Sequence, residues 1–436
     1  NVEVMWLLKH LTPDFKTIAD FRKDNLTPIR QVCREFTLLC KELDLFGGEL
    51  VAIDGSKFKA VNNRTRNFTP KKLERTLAEI DAKIATYLAE LDTHDAVEPT
   101  ASEAVRDLPA KLARLRERQQ QYAAYQQELA ASGATQLSLT DPDCRSMPVS
   151  QGTAVGYNVQ VAVDAKHKLI VEHEVTNEVT DRAQLASMAT QTQHVLGVDV
   201  MDVVADVGYY DGTAVKTCLD AGITPYIAKP HTSRNQKDGL FTKADFVYDA
   251  EEDAYRCPAR ATLTYRFTAN EAGRLTRYYA TPACGSCPIR NQCTRSATEG
   301  RRITRWEQEG LLDAMAERVR GNPQVMKQRK QIVEHPFGTI KRAMNQGYFL
   351  MRGLPKVRTE MSLTVLAYNL KRVLNMLGVE RLLAVVIQRR KDVRMSAPRV
   401  RINILRRRGR SCSLVLMDFS HGLAPCCAAM FPRVYG

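Results

Sequence analysis

The sequence predicts an α/β protein with a mixed sheet flanked by helices. Three observations carry this. Two alternating apolar runs, 157–164 and 169–175, are separated only by a polar turn at 165–168 and read as an antiparallel hairpin. Beyond them, helical stretches at 181–195 and 213–221 alternate with short apolar strands at 201–206 and 223–228, the order expected of parallel pairing. Finally, two of the apolar runs close on an aspartate just before a glycine, at Asp54-Gly55 and at Asp206-Val207-Gly208.

Taken in order, residues 6–21 and 22–45 repeat apolar side chains at helical spacing, and Gly47-Gly48 breaks the pattern. The run 49–58 is β-type and delivers Asp54 to what reads as a strand edge. From 70 to 132 the composition shifts to Ala, Leu, Glu, Lys, Arg and Gln, which favour helix. Leucines and isoleucines there alternate steps of three and four on both sides of a break at 93–109, so an antiparallel helical hairpin is expected. Residues 239–300 interrupt the later alternation with a β-type segment rich in Tyr, Thr and Arg. Helical periodicity returns near Leu311 and continues through 324–342 and 363–386. The last stretch, 389–436, is basic and aperiodic.

The 436 residues suffice for two or three domains. No apolar run reaches the roughly eighteen residues of a membrane span, and the start lacks the order of a signal peptide, so a cytoplasmic protein is expected. Because the chain begins at Asn1 within a helical pattern, its natural start is expected upstream. The net charge is +14, but 389–436 alone holds eleven basic residues against two acids. That tail reads as a solvated end. A more informative surplus lies at 318–342, where seven basic residues surround a single acid, Glu334.

Cleaving a DNA phosphodiester requires an activated oxygen nucleophile and stabilisation of a dianionic transition state. Two Mg²⁺ or Mn²⁺ ions held by carboxylates supply both. Asp54 and Asp206, each ending an apolar strand, suit presentation at one sheet edge. A third ligand should come from a following helix, which Glu334 supplies, with Lys341 seven residues on. Geometry alone leaves Asp164 and Asp202 as competitors for the second position, and Asp164 reads more simply as a turn residue.

Five separated stretches then carry a resemblance: 52–56 (AIDGS), 156–164 (GYNVQVAVD), 205–210 (ADVGYY), 333–342 (VEHPFGTIKR), and 352–357 (RGLPKV) followed by 366–372 (LAYNLKR). In that order they resemble bacterial insertion-sequence DDE transposases of a branch with a Cys-rich insertion, over about residues 1–385. The resemblance implies an RNase H-like catalytic fold and a metal-binding triad of Asp54, Asp206 and Glu334. It also implies phosphate contact by Lys341, and Lys330 and Arg342 are expected to hold phosphates as well. The related Tyr and Arg positions of the last catalytic helix are Lys327 and Lys330 here, and Pro336 predicts a kink.

Four of the eleven cysteines cluster as Cys257, Cys284, Cys287 and Cys293, which points first to a structural Zn²⁺ site, then to an iron–sulfur centre, then to plain thiols. His335 reads as a ligand, a base or a packing residue, and Trp306 and Tyr348 as base-stacking or core residues.

The expected architecture is a helical N-terminal part at 1–48, then an RNase H-like catalytic domain at 49–385. That domain is interrupted by the hairpin at 70–132 and the Cys-bearing β-rich insertion at 239–300, and the basic tail 389–436 follows it. The expected function is divalent-metal-dependent cleavage and strand transfer of double-stranded DNA ends by a homodimer in the DNA complex. The rival readings are a stand-alone RNase H-like nuclease and an inactive DNA-binding remnant.

Overall fold

The computed structural model describes residues 10, 12–95, 107–149, 152–230, 233–296 and 298–396. The expectations for residues 6–8, the centre of the break at 93–109 and nearly all of the basic tail lie outside them. The chain is a mixed α/β protein. Strand β1 (Leu50–Lys59) follows two helices, α1 (Phe15–Asp24) and α2 (Leu26–Glu42). After it come β2 (Asn67–Phe68), α3 (Pro70–Asp95), α4 (Leu108–Ser132), β3 (Leu137–Ser138) and β4 (Arg145–Val149). The chain continues through β5 (Gly152–Asp164), β6 (Ile170–Thr176), α5 (Leu185–Leu196), β7 (Met201–Ala205), α6 (Gly212–Asp220) and β8 (Ile223–Ile227).

The main sheet has six strands in the order β4-β5-β1-β7-β8, and β6 also pairs with β5. β5 is antiparallel to β1, β4 and β6, whereas β1, β7 and β8 run parallel. Strand β1 does not stop at Asp54. Its pairing with β5 continues from Val51 to Lys59, because Gly55 fits flat in the sheet rather than turning the chain. A Cβ there would lie 2.5 Å from Gln160 Nε2 and 2.8 Å from Asp181 Oδ1, so no other residue fits without displacing both.

Apolar side chains fill both faces of this sheet. On one, Ile53, Ala162, Val203 and Ala205 pack with Leu39, Leu185, Met188 and Val215. On the other, Ala52, Phe58, Val161 and Val204 pack with Ile332, Val333, Phe337 and Val365. Burial on both faces explains the consecutive apolar residues Val161–Val163 of β5 and Val203–Ala205 of β7.

Past α7 (Arg234–Lys237), a second sheet of five strands runs in the order β13-β12-β11-β10-β9. These are β9 (Val247–Asp249), β10 (Ala254–Arg256), β11 (Thr262–Glu271), β12 (Arg274–Ala280) and β13 (Ile303–Trp306). Helices α8 (Glu309–Gly321), α9 (Pro323–Gly338), α10 (Leu354–Leu377) and α11 (Val379–Ser396) complete the described chain. Gly378, at a φ of 75°, ends α10 in a left-handed turn that splits the helical run expected at 363–386. Pro336 lies within α9, and the backbone passes directly into a π-helical turn at Thr339–Ala343. The proline removes the donor that would meet the carbonyl four residues earlier, and the wider turn beyond it is closed by Met344 N donating to Thr339 O at 2.9 Å.

α10 is tied to the sheet by polar side chains. Asn369 accepts from Ile170 N at 2.9 Å and donates to Ile170 O at 2.8 Å, which satisfies β6 where its register with β5 shifts. His335 joins α9 to α10 by contacts of 2.9 Å to Tyr368 Oη and 3.0 Å to Arg372. Burial, with Arg372 and Lys168 nearby, lowers its pKa, and both ring nitrogens are taken up by these contacts between the two helices.

Candidate functional site

Parallel pairing of Ile53 with Ala205 sets Asp54 and Asp206 at the same level of neighbouring strands. Asp206 follows the last residue of β7, and its Oδ1 accepts from Gly208 N at 2.8 Å. Asp54 Oδ1 accepts from Gly55 N at 2.9 Å. Its other oxygen faces Arg329 of α9, with Nη1 3.5 Å away. Burial pushes the Asp54 carboxyl up to about 6, Arg329 opposes that, and Asp206 and then Asp181 add to it as like charges. The two strands therefore hold a pair of acids side by side, one of them already facing the Arg329 cation.

Alternation along β1 places Ser56 and Phe58 on the Asp54 side. Lys341, from the π-helical turn, reaches this side. Its Nζ donates to Ser56 Oγ at 2.6 Å and to Lys57 O at 3.0 Å, and sits 4.6 Å from the centre of the Phe58 ring. Burial lowers its pKa. Lys341 is thus a fixed, half-buried cation on the Asp54 side of β1, and Lys330 and Arg342 are exposed. Glu334 is also exposed on α9. The helix touches Asp54 through Arg329 instead, five residues earlier in the chain.

Of the competing acids, Asp164 is fully buried and accepts from the backbone of Gly47, Gly48 and Lys166 at 2.9–3.0 Å. It clasps the loop before β1. Asp202 stands at the opposite end of β7, where it bonds the Tyr226 hydroxyl.

Asp181, in the turn before α5, is a carboxylate at this site that periodicity does not single out. Its Oδ1 accepts from Asn158 Nδ2 at 2.7 Å and Gln160 Nε2 at 2.8 Å, and pairs with Lys57 Nζ at 3.3 Å. In sequence it looks like a helix start. The signal lay in the polar Asn158 and Gln160 within an apolar strand, which need a partner.

The four central cysteines converge. Cys257, Cys284, Cys287 and Cys293 line one cavity with Phe246 and Leu263, and all four are free thiols. Cys293 feels the other three, and burial raises its pKa while Arg301 opposes the rise. No group of three or more His, Cys, Asp or Glu side chains is drawn in to metal-coordination spacing among the described residues. Trp306 packs against Gly212 and beneath Arg274, whose guanidinium lies 5.7 Å from the ring centre. Tyr348 is exposed.

Residues 256–374 match the family model of a transposase DDE domain. That stretch is therefore similar to a transposase DDE domain. That match includes Glu334, Lys341 and the cysteines, and it begins after Asp54 and Asp206. Enzymes of this family cleave and move DNA and generally use divalent metal ions. Among solved structures, the chain is similar to piggyBac transposase, determined by cryo-EM as a synaptic complex with hairpin DNA. The likeness is loose, with 9% identity and a TM-score of 0.23 over 84% of this chain and 63% of that one. The chain thus spans less than two thirds of that structure's length. No curated protein matches it. Among the described residues, no helix is long and apolar enough to cross a membrane.

Proposed function

We propose that this chain is a DDE transposase that hydrolyses and joins double-stranded DNA at the ends of an insertion sequence, with Asp54, Asp206 and Glu334 as its divalent-metal ligands. The observation that carries the reading is the Ile53–Ala205 register, which sets Asp54 and Asp206 side by side where the parallel pairing of β1 with β7 ends. The strand order supports an RNase H-like core: β6, β5 and β1 are antiparallel, and β7 and β8 extend the sheet in parallel. The core spans 49–385, and the α3–α4 hairpin and the cysteine-bearing second sheet are insertions in it.

The donor set fits hard cations, since both aspartates offer anionic oxygens and their like charges favour a shared positive ion. When bound, Mg²⁺ or Mn²⁺ supplies charge to the scissile phosphate and lowers the pKa of attacking water. Arg329 holds a positive charge against Asp54 and must yield to let that carboxylate ligate. Glu334, on the same helix, closes the ligand set from the α9 side. Lys341 orients a phosphate from its fixed place on Ser56, and Lys330 and Arg342 add positions along the same helical segment. These contacts set register on DNA without reading its sequence. At the cysteines, four converging thiols fit a tetrahedral structural Zn²⁺.

The test is strand cleavage and joining on a plasmid carrying the coding segment with its flanking DNA, in Mg²⁺ or Mn²⁺. Wild-type protein is expected to expose 3′-OH ends and join them to target DNA. Asp54→Asn, Asp206→Asn and Glu334→Gln are each expected to reduce cleavage by at least about a hundredfold, because each removes a ligand whose loss uncouples the ion from the phosphate. Cleavage without joining would indicate a nuclease. Undiminished cleavage by any one variant would remove that residue from the triad.

A further inference from the structure

The face of β1 turned away from Asp54 carries a buried polar network that this mechanism leaves without a task. Gly55 and Lys57 lie on that face, across from Asn158 and Gln160, which are both fully buried. Gln160 Nε2 donates to Asn158 Oδ1 at 3.0 Å, Asn158 Nδ2 also donates to Glu178 O at 3.2 Å, and Tyr209 Oη donates to Gln160 Oε1. Both amides then donate to the same oxygen of Asp181, Oδ1, where Lys57 pairs as well. Three donors on one oxygen fix the plane of the carboxylate.

The other oxygen, Oδ2, faces the Asp206 turn. The point where a Cβ on Gly208 would sit lies 2.9 Å from Asp206 Oδ1 and 3.8 Å from Asp181 Oδ2. The missing side chain at Gly208 therefore leaves a space bordered by both carboxylates. A network that served packing alone could end on a neutral acceptor. Ending it on an anion, in reach of two further acids, costs stability unless the charge has a use.

We propose that Asp181 is a positioning residue of the Asp54–Asp206 site, directing a second-sphere negative charge at a divalent cation or its bound water from beside Gly208. This rests on the metal-ligand reading of Asp54 and Asp206. Asn158, Gln160 and Lys57 hold the carboxylate at a fixed angle, and Gly55 and Gly208 keep the space clear on either side.

Asp181→Asn keeps an oxygen for the three donors and removes only the charge. Mn²⁺ binding to the full chain, read by electron paramagnetic resonance of free ion, is expected to weaken by about tenfold or more, the usual cost of an outer-sphere partner. The thermal midpoint in chelator is expected to stay the same or rise. Asp206→Asn serves as reference and is expected to lose Mn²⁺ binding altogether. Full Mn²⁺ affinity in Asp181→Asn alongside its loss in Asp206→Asn would overturn the role of Asp181 and leave the metal site standing. No Mn²⁺ binding by the unaltered chain would overturn both. Should Asp181→Asn fail to fold, Lys57→Gln gives an independent reading. It leaves Asp181 without its counter-charge and is expected to tighten Mn²⁺ binding, whereas unchanged or weaker binding contradicts the proposal.

Discussion

Asp54 is drawn in opposite directions by its surroundings, since burial and its acidic neighbours favour the neutral acid while Arg329 favours the anion. Its carboxyl lies at about 6 in the fold against 3.8 for the ordinary side chain. Between those values the folded chain binds more protons than the unfolded chain, so stability falls as pH rises. Metal-free protein is therefore expected to lose stability from about pH 4 to about pH 6, where the charge forms, and Asp54→Asn is expected to lack that part of the slope. Thermal midpoints of both proteins across this range, in chelator, check it; parallel curves would mean that Asp54 titrates normally. Asp54 and Asp206 could be picked out from sequence because each ends an apolar run before a glycine. Asp181 could not, since its role depends on donors from β1 and β5 that lie over twenty residues away in the chain. The same holds for Arg329, whose meeting with Asp54 depends on how α9 is rotated on the sheet.

At the level of elements, α3, α4, α5, α6 and the strands from β5 to β8 lie close to where periodicity put them, because amphipathic spacing and apolar runs are local signals. Two departures have physical causes. β1 outruns its aspartate, since a glycine inside a strand and a glycine after a strand look alike in sequence and only pairing with β5 separates them. The helix expected at 324–342 changes to a π-helical turn after Pro336, which gives Lys341 a different angular position from that of a continuous α-helix. The second sheet has a core of only a few aromatic and aliphatic residues, Phe246, Tyr255, Leu263, Tyr279 and Ile303, with Cys257 and Cys293 against it. So small a core gains most from a metal staple. Purified protein is expected to hold one zinc, Cys284→Ser to lose it, and proteolysis within 240–300 to accelerate in that variant. A metal-free preparation with the same protease resistance as the zinc-replete protein would show that the thiols only pack.

For the molecule as a whole, the sequence specifies the mixed α/β class through strand and helix order, and the site through two aspartates delivered by parallel neighbours. What it could not specify is the arrangement of α9 over that site. Arg329 meets Asp54 and Glu334 faces solvent, so the third ligand is the part of the account that depends on the helix meeting ion and DNA together. The most direct measurement is the anomalous scattering of Mn²⁺ in crystals of the chain grown with a DNA duplex. A peak bonded to carboxylate oxygens of both Asp54 and Asp206 is expected, with Arg329 displaced and Glu334 turned in as a ligand. Mn²⁺ found only elsewhere, with Asp54 still paired to Arg329, would contradict it.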